Sequence, residues 1–246
     1  MTITIDLNAD TSGNGVDLHG VIEDFNNNFS LGSGNHGYFF EDGNYTAAYG
    51  GDQYYATDLD SSSSYTGGVL ATAGASDFAY DINTHTIGGD LDGFSFGSTL
   101  VQTADASAVE FSDSSVDISG LGLSGSDTNE VLVDIYTGST DGLEAAFASE
   151  GVEINGSIGD DVIGGWAGDD VLTGNGGADT FEFDTSASFG DDTVTDFDDG
   201  TDVLDIDFAS VTIADDGAGN ALITHANGTV TLTGVDYTDL DASDFV

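Results

Sequence analysis

Apolar and polar positions alternate along Thr2-Ile-Thr-Ile-Asp6, the period of a half-buried strand. Leu18, Val21, Ile22, Phe25 and Phe29 then recur at helical spacing, between Asp17 and the glycines at 32 and 34. That spacing predicts an amphipathic helix of about three to four turns. His19 lies within it and reads as an ordinary helix residue. Residues 32–44 form a glycine-bounded loop with His36 near its tip and Tyr38, Phe39 and Phe40 beside it. Strand-like segments follow at 53–59, 65–72, 78–82, 94–101 and 109–118, divided by Gly, Ser, Asn and Asp clusters. Strands in sequence with short turns predict an antiparallel meander. Residues 130–136 and 140–150 read as helices, the second with Thr140 as N-cap and Gly151 as stop. Residues 1–150 are thus expected to be an α+β domain, an antiparallel sheet packed by a few helices.

From about residue 151 the pattern changes to a period of nine. Gly156-Ser-Ile-Gly159-Asp-Asp161-Val-Ile163 is followed by Gly165-Trp-Ala-Gly168-Asp-Asp170-Val-Leu172 and by Gly174-Asn-Gly-Gly177-Ala-Asp179-Thr-Phe181. Ser157, Trp166 and Asn175 depart from the second glycine of the nonapeptide. The repeat resembles the RTX calcium-binding β-roll. The resemblance implies an all-β region over 151–246, with Ile163, Leu172 and Phe181 inside. Asp161, Asp170 and Asp179 are then the Ca2+ carboxylates, oxygen ligands of the kind calcium takes. Asp161 and Asp179 would frame one site, with Asp170 on the other face. Further strands are expected at 191–197, 200–206, 211–213, 221–224 and 230–232, with His225 flanking a hairpin turn.

Composition narrows the partners. The 246 residues include no Lys, Arg, Cys or Pro and 46 acids, for a formal charge of −46. No cation is present to displace phosphate counterions, which excludes nucleic acid as a partner. Docking on an anionic membrane is disfavoured for the same reason, and no apolar run is long enough to insert in a bilayer. Yet 39% hydrophobic and 10% aromatic residues exceed what a disordered acidic tail carries. No basic region followed by an apolar one opens the chain. The acidity has two readings, adaptation to high salt or a secreted, cation-loaded protein.

The candidate chemistry lies in Asp77-Phe-Ala-Tyr80-Asp-Ile-Asn-Thr-His85-Thr-Ile-Gly-Gly89. A reversal at Asn83 brings the Tyr80 phenol within hydrogen-bond reach of the His85 imidazole. A phenol beside a base can ionise, and phenolate is a ligand for ferric iron. The plainer alternative is that Tyr80 caps a strand edge and His85 satisfies a turn. No Ser/His/Asp, Cys/His or paired-carboxylate constellation rises above the acidic background, so no enzyme is expected.

Residues 16–150 resemble the HasA-type hemophores, secreted proteins that bind haem and pass it to an outer-membrane receptor. The matching features are the helix around Leu18-His19, Asn35-His36, Ala48-Tyr-Gly-Gly51, and Gln53-Tyr54. They continue with Tyr80 followed by His85-Thr-Ile and Gly88, Leu91-Asp-Gly-Phe-Ser-Phe-Gly97 and Gly138-Ser-Thr-Asp-Gly-Leu-Glu-Ala145. The resemblance implies ferric haem b held by His36 and Tyr80 as axial ligands, with His85 on the phenol. Phe39, Phe78 and Ile82 are then candidates to cover the macrocycle. Without cations, the propionates must face solvent, hydroxyls, amides or calcium. The implied partners are haem, an outer-membrane haem receptor, and host or environmental haemoproteins as the haem source. The last residues, Asp239-Leu-Asp-Ala-Ser-Asp-Phe-Val246, resemble an uncleaved type I secretion signal, which places the protein outside the cell. The alternative function is a calcium-binding structural or filament-forming matrix protein that carries haem and self-assembles.

Overall fold

The computed structural model describes residues 2–32, 37–41, 44–47, 50–58 and 65–246, the side chains of 44–47 apart. The fold is mostly β with three α-helices, α1 (Leu18–Asn28), α2 (Ser126–Thr137) and α3 (Asp141–Glu150). The chain divides into two compact units. One contains residues 20–145; the other joins residues 2–19 to 146–246. A boundary near 150 is thus only half of the division, because the N-terminal strand belongs with the C-terminal region. Among the described residues no helix is long and apolar enough to cross a membrane.

Within residues 20–145 six strands lie side by side in the order 114–119, 90–97, 68–73, 53–57, 38–41 and 44–47. Each neighbouring pair is antiparallel. The order is not a simple meander, since Asp90–Gly97 sits beside Gly68–Ala73 and the two strands between them in sequence leave the sheet. The first of them, Phe78–Asp81, instead pairs with Gly50–Gly51 and with the second, Thr86–Gly88. Tyr38–Glu41 is a strand and not part of a loop. Its alternation places Phe40 in a buried cluster with Tyr55, Leu70, Val109 and Phe111. The segment expected as one strand over 109–118 is two, Val109–Phe111 and Ser114–Ser119, because Ser112 and Asp113 form a turn. Asp113 there accepts hydrogen bonds from the backbone of Ser98 and Thr99.

The helices follow their apolar periods. Ile22, Phe25 and Phe29 of the α1 stripe are buried, and Phe25 stacks on Phe29 at 4.5 Å. Val131, Leu132 and Ile135 form the inner face of α2, which begins four residues before the sequence period suggests. Gly138 closes α2 at φ 80°, a left-handed conformation that a side chain would disfavour. Thr140 stands at the head of α3, and its carbonyl accepts from the Glu144 N–H. Its hydroxyl does not cap the backbone but bonds to Asn26 and the Glu144 carboxylate. Ser139 Oγ and the Asp134 carboxylate accept the free N–H groups of Asp141 and Gly142 instead.

The second unit is a coil whose strands alternate between two parallel sheets. Ile3–Leu7, Val152–Asn155, Val171–Thr173, Gly190–Val194 and Gly228–Leu232 form one. Val162–Gly164, Thr180–Glu182 and Val203–Asp205 form the other. Single bridges extend the second sheet at both ends, Asp17 to Val162 and Leu204 to Phe245. Ile163, Leu172 and Phe181 are all fully buried, as the phase of the repeat requires. Ala221–His225 adds an antiparallel hairpin, with His225 opposite Gly228 at its turn.

Candidate functional site

Tyr80 is placed by the hairpin of Phe78–Asp81 with Thr86–Gly88, in which Tyr80 faces Ile87 and Asp81 faces Thr86. The Asp81 carbonyl accepts the His85 N–H at 2.8 Å, and the Asp81 carboxylate accepts the Asn83 N–H at 2.8 Å. The bond from the Asn83 backbone is the main reason that the Asp81 carboxyl lies below its ordinary range. This turn closes only if its last residue adopts a left-handed conformation, and His85 does so at φ 56°. Its side chain thereby returns over the strand, bringing Nδ1 to 2.7 Å from the Tyr80 Oη. Asn129 of α2 anchors the returning strand by accepting the Ile87 N–H at 2.8 Å.

The pair faces solvent. Tyr80 is half-buried, His85 is exposed and Ile82 between them is 57% exposed. Phe78 is buried in the hairpin base, so of the three expected cover residues it cannot present its ring to a ligand without repacking. His36 lies outside the described residues. Phe39, three positions after it, has its ring 6.5 Å from Phe78, two positions before Tyr80. The strand that follows His36 and the strand that carries Tyr80 therefore share one aromatic contact. Phe39 also packs on Tyr54 at 5.3 Å. A phenol bonded to an imidazole, with an exposed aliphatic side chain in the same turn, is a donor set that fits ferric haem iron.

The repeat aspartates lie along the edges of the coil. On one edge the Val16 N–H donates to Asp161 Oδ1, the Asp161 N–H to Asp179 Oδ1 at 2.9 Å, and the Asp179 N–H to Asp202 Oδ1 at 3.0 Å. Asp170 is on the other edge, where Oδ1 accepts the Val152 N–H and the Asp170 N–H donates to Asp192. The second oxygens accept from within their own turns, Ser157 N–H to Asp161, Trp166 N–H to Asp170 and Asp198 N–H to Asp202. Asp161 and Asp179 are thus brought together and Asp170 is apart from both.

Three of these carboxyls are raised above their ordinary range. Burial, with Asp202 and Asp161 nearby, pushes Asp179 up to about 6. Burial, with Asp170 and Asp169 nearby, pushes Asp192 up to about 8, and burial also raises Asp170. Among the described residues no three His, Asp or Glu side chains converge on one point. A bound cation would therefore need backbone carbonyls beside the carboxylates. An all-oxygen donor set of mutually repelling buried carboxyls fits a hard cation such as Ca2+.

Asp192 and Asp202 escape the sequence pattern. They continue both ladders, but at spacings of 22 and 23 residues from Asp170 and Asp179 in place of 18. The participation of the N-terminus also escapes it, although Gly13-Asn-Gly15-Val-Asp17 carries a fragment of the repeat's Gly-x-Gly-x-Asp pattern.

No family model matches the chain, and no curated protein matches it. Among solved structures it is similar to the apo hemophore HasA from Yersinia pestis, at 19% identity, TM-score 0.47, over 59% of this chain and 88% of that one. The holo hemophore HasA from the same organism gives 19% identity and TM-score 0.46 over 59% and 88%. The AlgE6R3 subunit of the Azotobacter vinelandii mannuronan C5-epimerase gives 24% identity and TM-score 0.32 over 40% and 79%. Likenesses of this size establish no family, and the functional reading rests on the side chains.

Proposed function

We propose that the protein is an extracellular, non-enzymatic haem carrier whose repeat region is a calcium-binding β-roll. The observation that carries this reading is the 2.7 Å bond between Tyr80 Oη and His85 Nδ1 on a solvent-facing hairpin. Ferric haem iron, when bound, supplies a Lewis acid that favours an anionic oxygen ligand. Tyr80 offers that oxygen, and His85 Nδ1 takes or shares the phenolic proton. Exposed Ile82 offers apolar cover beside the pair, and His36 is the second ligand by the sequence resemblance. The chain has no Lys or Arg to receive propionates, so those of a bound haem would be left to solvent, hydroxyls, backbone amides or calcium. Asp161, Asp170 and Asp179 are the carboxylates through which Ca2+ stabilises the coil, by binding the folded form. The resemblance of residues 16–150 to HasA-type hemophores supports delivery to an outer-membrane receptor.

Titration with haemin, followed by visible absorption, tests the proposal. Wild-type protein is expected to shift the Soret band and develop a charge-transfer band. Tyr80→Phe keeps the ring, removes the oxygen and is expected to abolish that band. A Tyr80→Phe protein with the wild-type spectrum and affinity would mean that the ligand lies elsewhere.

A further inference from the structure

The chain enters the coil twice. Residues 2–19 make a first pass and residues 146–246 the rest, so residues 20–145 are inserted between the coil's first and second rungs. The first rung is built as closely as the later ones. Ile3, Ile5 and Leu7 are buried, and Ile3 to Asp6 run in parallel register with Val152 to Asn155. Asn155 Nδ2 donates to the Asp6 carboxylate at 2.9 Å. After a turn stabilised by Asp10, which accepts the Ser12 and Asn14 N–H groups, Val16 re-enters the coil. There its N–H donates to Asp161 and its carbonyl accepts from Val162. Gly15 is required at this crossing. A Cβ on it would lie 2.2 Å from the Asp160 carbonyl oxygen and 2.6 Å from Asp161 Oδ1.

Trp166, the one tryptophan in the chain, stands where the coil releases and recovers the insert. Its ring meets His19, the last residue of the first pass, edge-on at 5.2 Å. It also meets Phe147, the second residue of the return, at 4.5 Å. The nonapeptide asks for glycine here. The Trp166 N–H still makes the turn's bond to Asp170, which leaves the side chain available for these two contacts.

We propose that the first rung and Trp166 form a latch that holds both ends of the insert and makes the stability of residues 20–145 depend on the coil. With its ends fixed, the insert unfolds as a closed loop and gains less chain entropy than a free segment. Undocking the rung removes that restriction and the Trp166 contacts together. A ligand that stabilises the coil then stabilises the insert without touching it.

A disulfide staple tests the latch in the full chain. Thr4 and Glu153 are register partners on the outward face of adjacent parallel strands. Neighbouring strands lie within the span a disulfide can bridge. The chain has no cysteine, so Thr4→Cys with Glu153→Cys gives a single bridge. Amide hydrogen exchange in Asp90–Gly97 reports the insert, and Trp166 fluorescence reports the latch. Oxidation is expected to slow exchange in that strand by on the order of tenfold relative to the reduced protein. Gly15→Val is expected to speed it by a similar factor and shift Trp166 emission to the red. Equal exchange in the oxidised and reduced forms would overturn the proposal. So would an unchanged insert in a Gly15→Val protein whose residues 3–7 have lost protection. If Gly15→Val does not fold, the staple alone decides. Neither readout involves haem, so failure here is distinct from failure of the carrier reading.

Discussion

The backbone N–H of Asp170 donates to the carboxylate of Asp192 at 2.9 Å, and both side chains are buried on the same edge of the coil. Burial, with the neighbouring charges of Asp170, Asp169 and Asp191, lifts Asp192 to about 8. A folded value above the unfolded one of about 4 means that the native state holds the proton more tightly. This contribution to stability is fully present below pH ~4 and is lost as pH rises toward ~8. Thermal unfolding in chelator should give a midpoint that falls between pH 5 and pH 9. Asp192→Asn should flatten much of the decline; a variant that tracks the wild type would show that general self-repulsion, and not this site, sets the slope.

Calcium reverses the sign. A cation at Asp179, or at Asp170 beside Asp192, must displace the protons that Asp179 and Asp192 hold at about 6 and about 8, so its affinity should rise with pH across that interval. Calorimetry in two buffers of different ionisation enthalpy would count protons released at pH 7. Zero release would contradict the assignment of Asp170 and Asp179 to the cation. Circular dichroism of the full chain should differ strongly with and without Ca2+.

Gln53 behaves like a piece of backbone. Its Nε2 donates to the Val109 carbonyl at 2.8 Å and its Oε1 accepts the Val109 N–H at 2.7 Å, all buried. Gln53→Ala leaves both Val109 groups without partners and should cost about 2–4 kcal/mol in denaturant unfolding. Gln53→Leu fills the space without restoring either bond, so it should recover little. A loss below about 0.5 kcal/mol would mean that water reaches the vacated site.

Where side chains alternate or repeat, the sequence makes the element readable. The α1 stripe, the Tyr80 strand and the rungs ending in Ile163, Leu172 and Phe181 all follow from period alone. The Tyr80 and His85 pair is readable because Asp81 and Asn83 dictate a tight turn. What is not readable depends on long-range pairing. Tyr38–Glu41 looks like loop because glycines precede it, yet Gln53–Thr57 supplies its partner strand. Residues 3–7 carry no mark that they pair with a segment nearly 150 positions away. Asp192 and Asp202 fall out of the nonapeptide because the turns before them are longer, although their hydrogen bonds repeat those of Asp161 and Asp179.

His85 contributes to haem affinity through Tyr80 in the proposed carrier. Its left-handed backbone at φ 56° closes the turn and returns Nδ1 to the phenol. Loss of a partner that orients a metal ligand typically weakens binding by about 10–100-fold. His85→Ala should fall in that range while retaining the charge-transfer band that Tyr80→Phe loses. His85→Gln, which can still reach the phenol, should recover part of the affinity.

Two glycines of one repeat turn separate space from conformation. A Cβ on Gly174 would stand 2.3 Å from Asp179 Oδ2 and 3.3 Å from the ring of Phe181, whereas one on Gly176 meets nothing within 4 Å. Gly174→Ala must therefore push the Asp179 carboxylate off its bond with the Asp161 N–H or move the buried Phe181 ring. Either response should cost about 1–3 kcal/mol. Gly176→Ala restricts only the unfolded chain and should be neutral or stabilising by about 0.4–1 kcal/mol. The two unfolding midpoints in chelator measure the difference. Calcium should widen it, because the displaced Asp179 is also the carboxylate proposed to hold the cation. Equal midpoints would show that the Asp179 carboxylate is free to move, which a built cation edge does not allow.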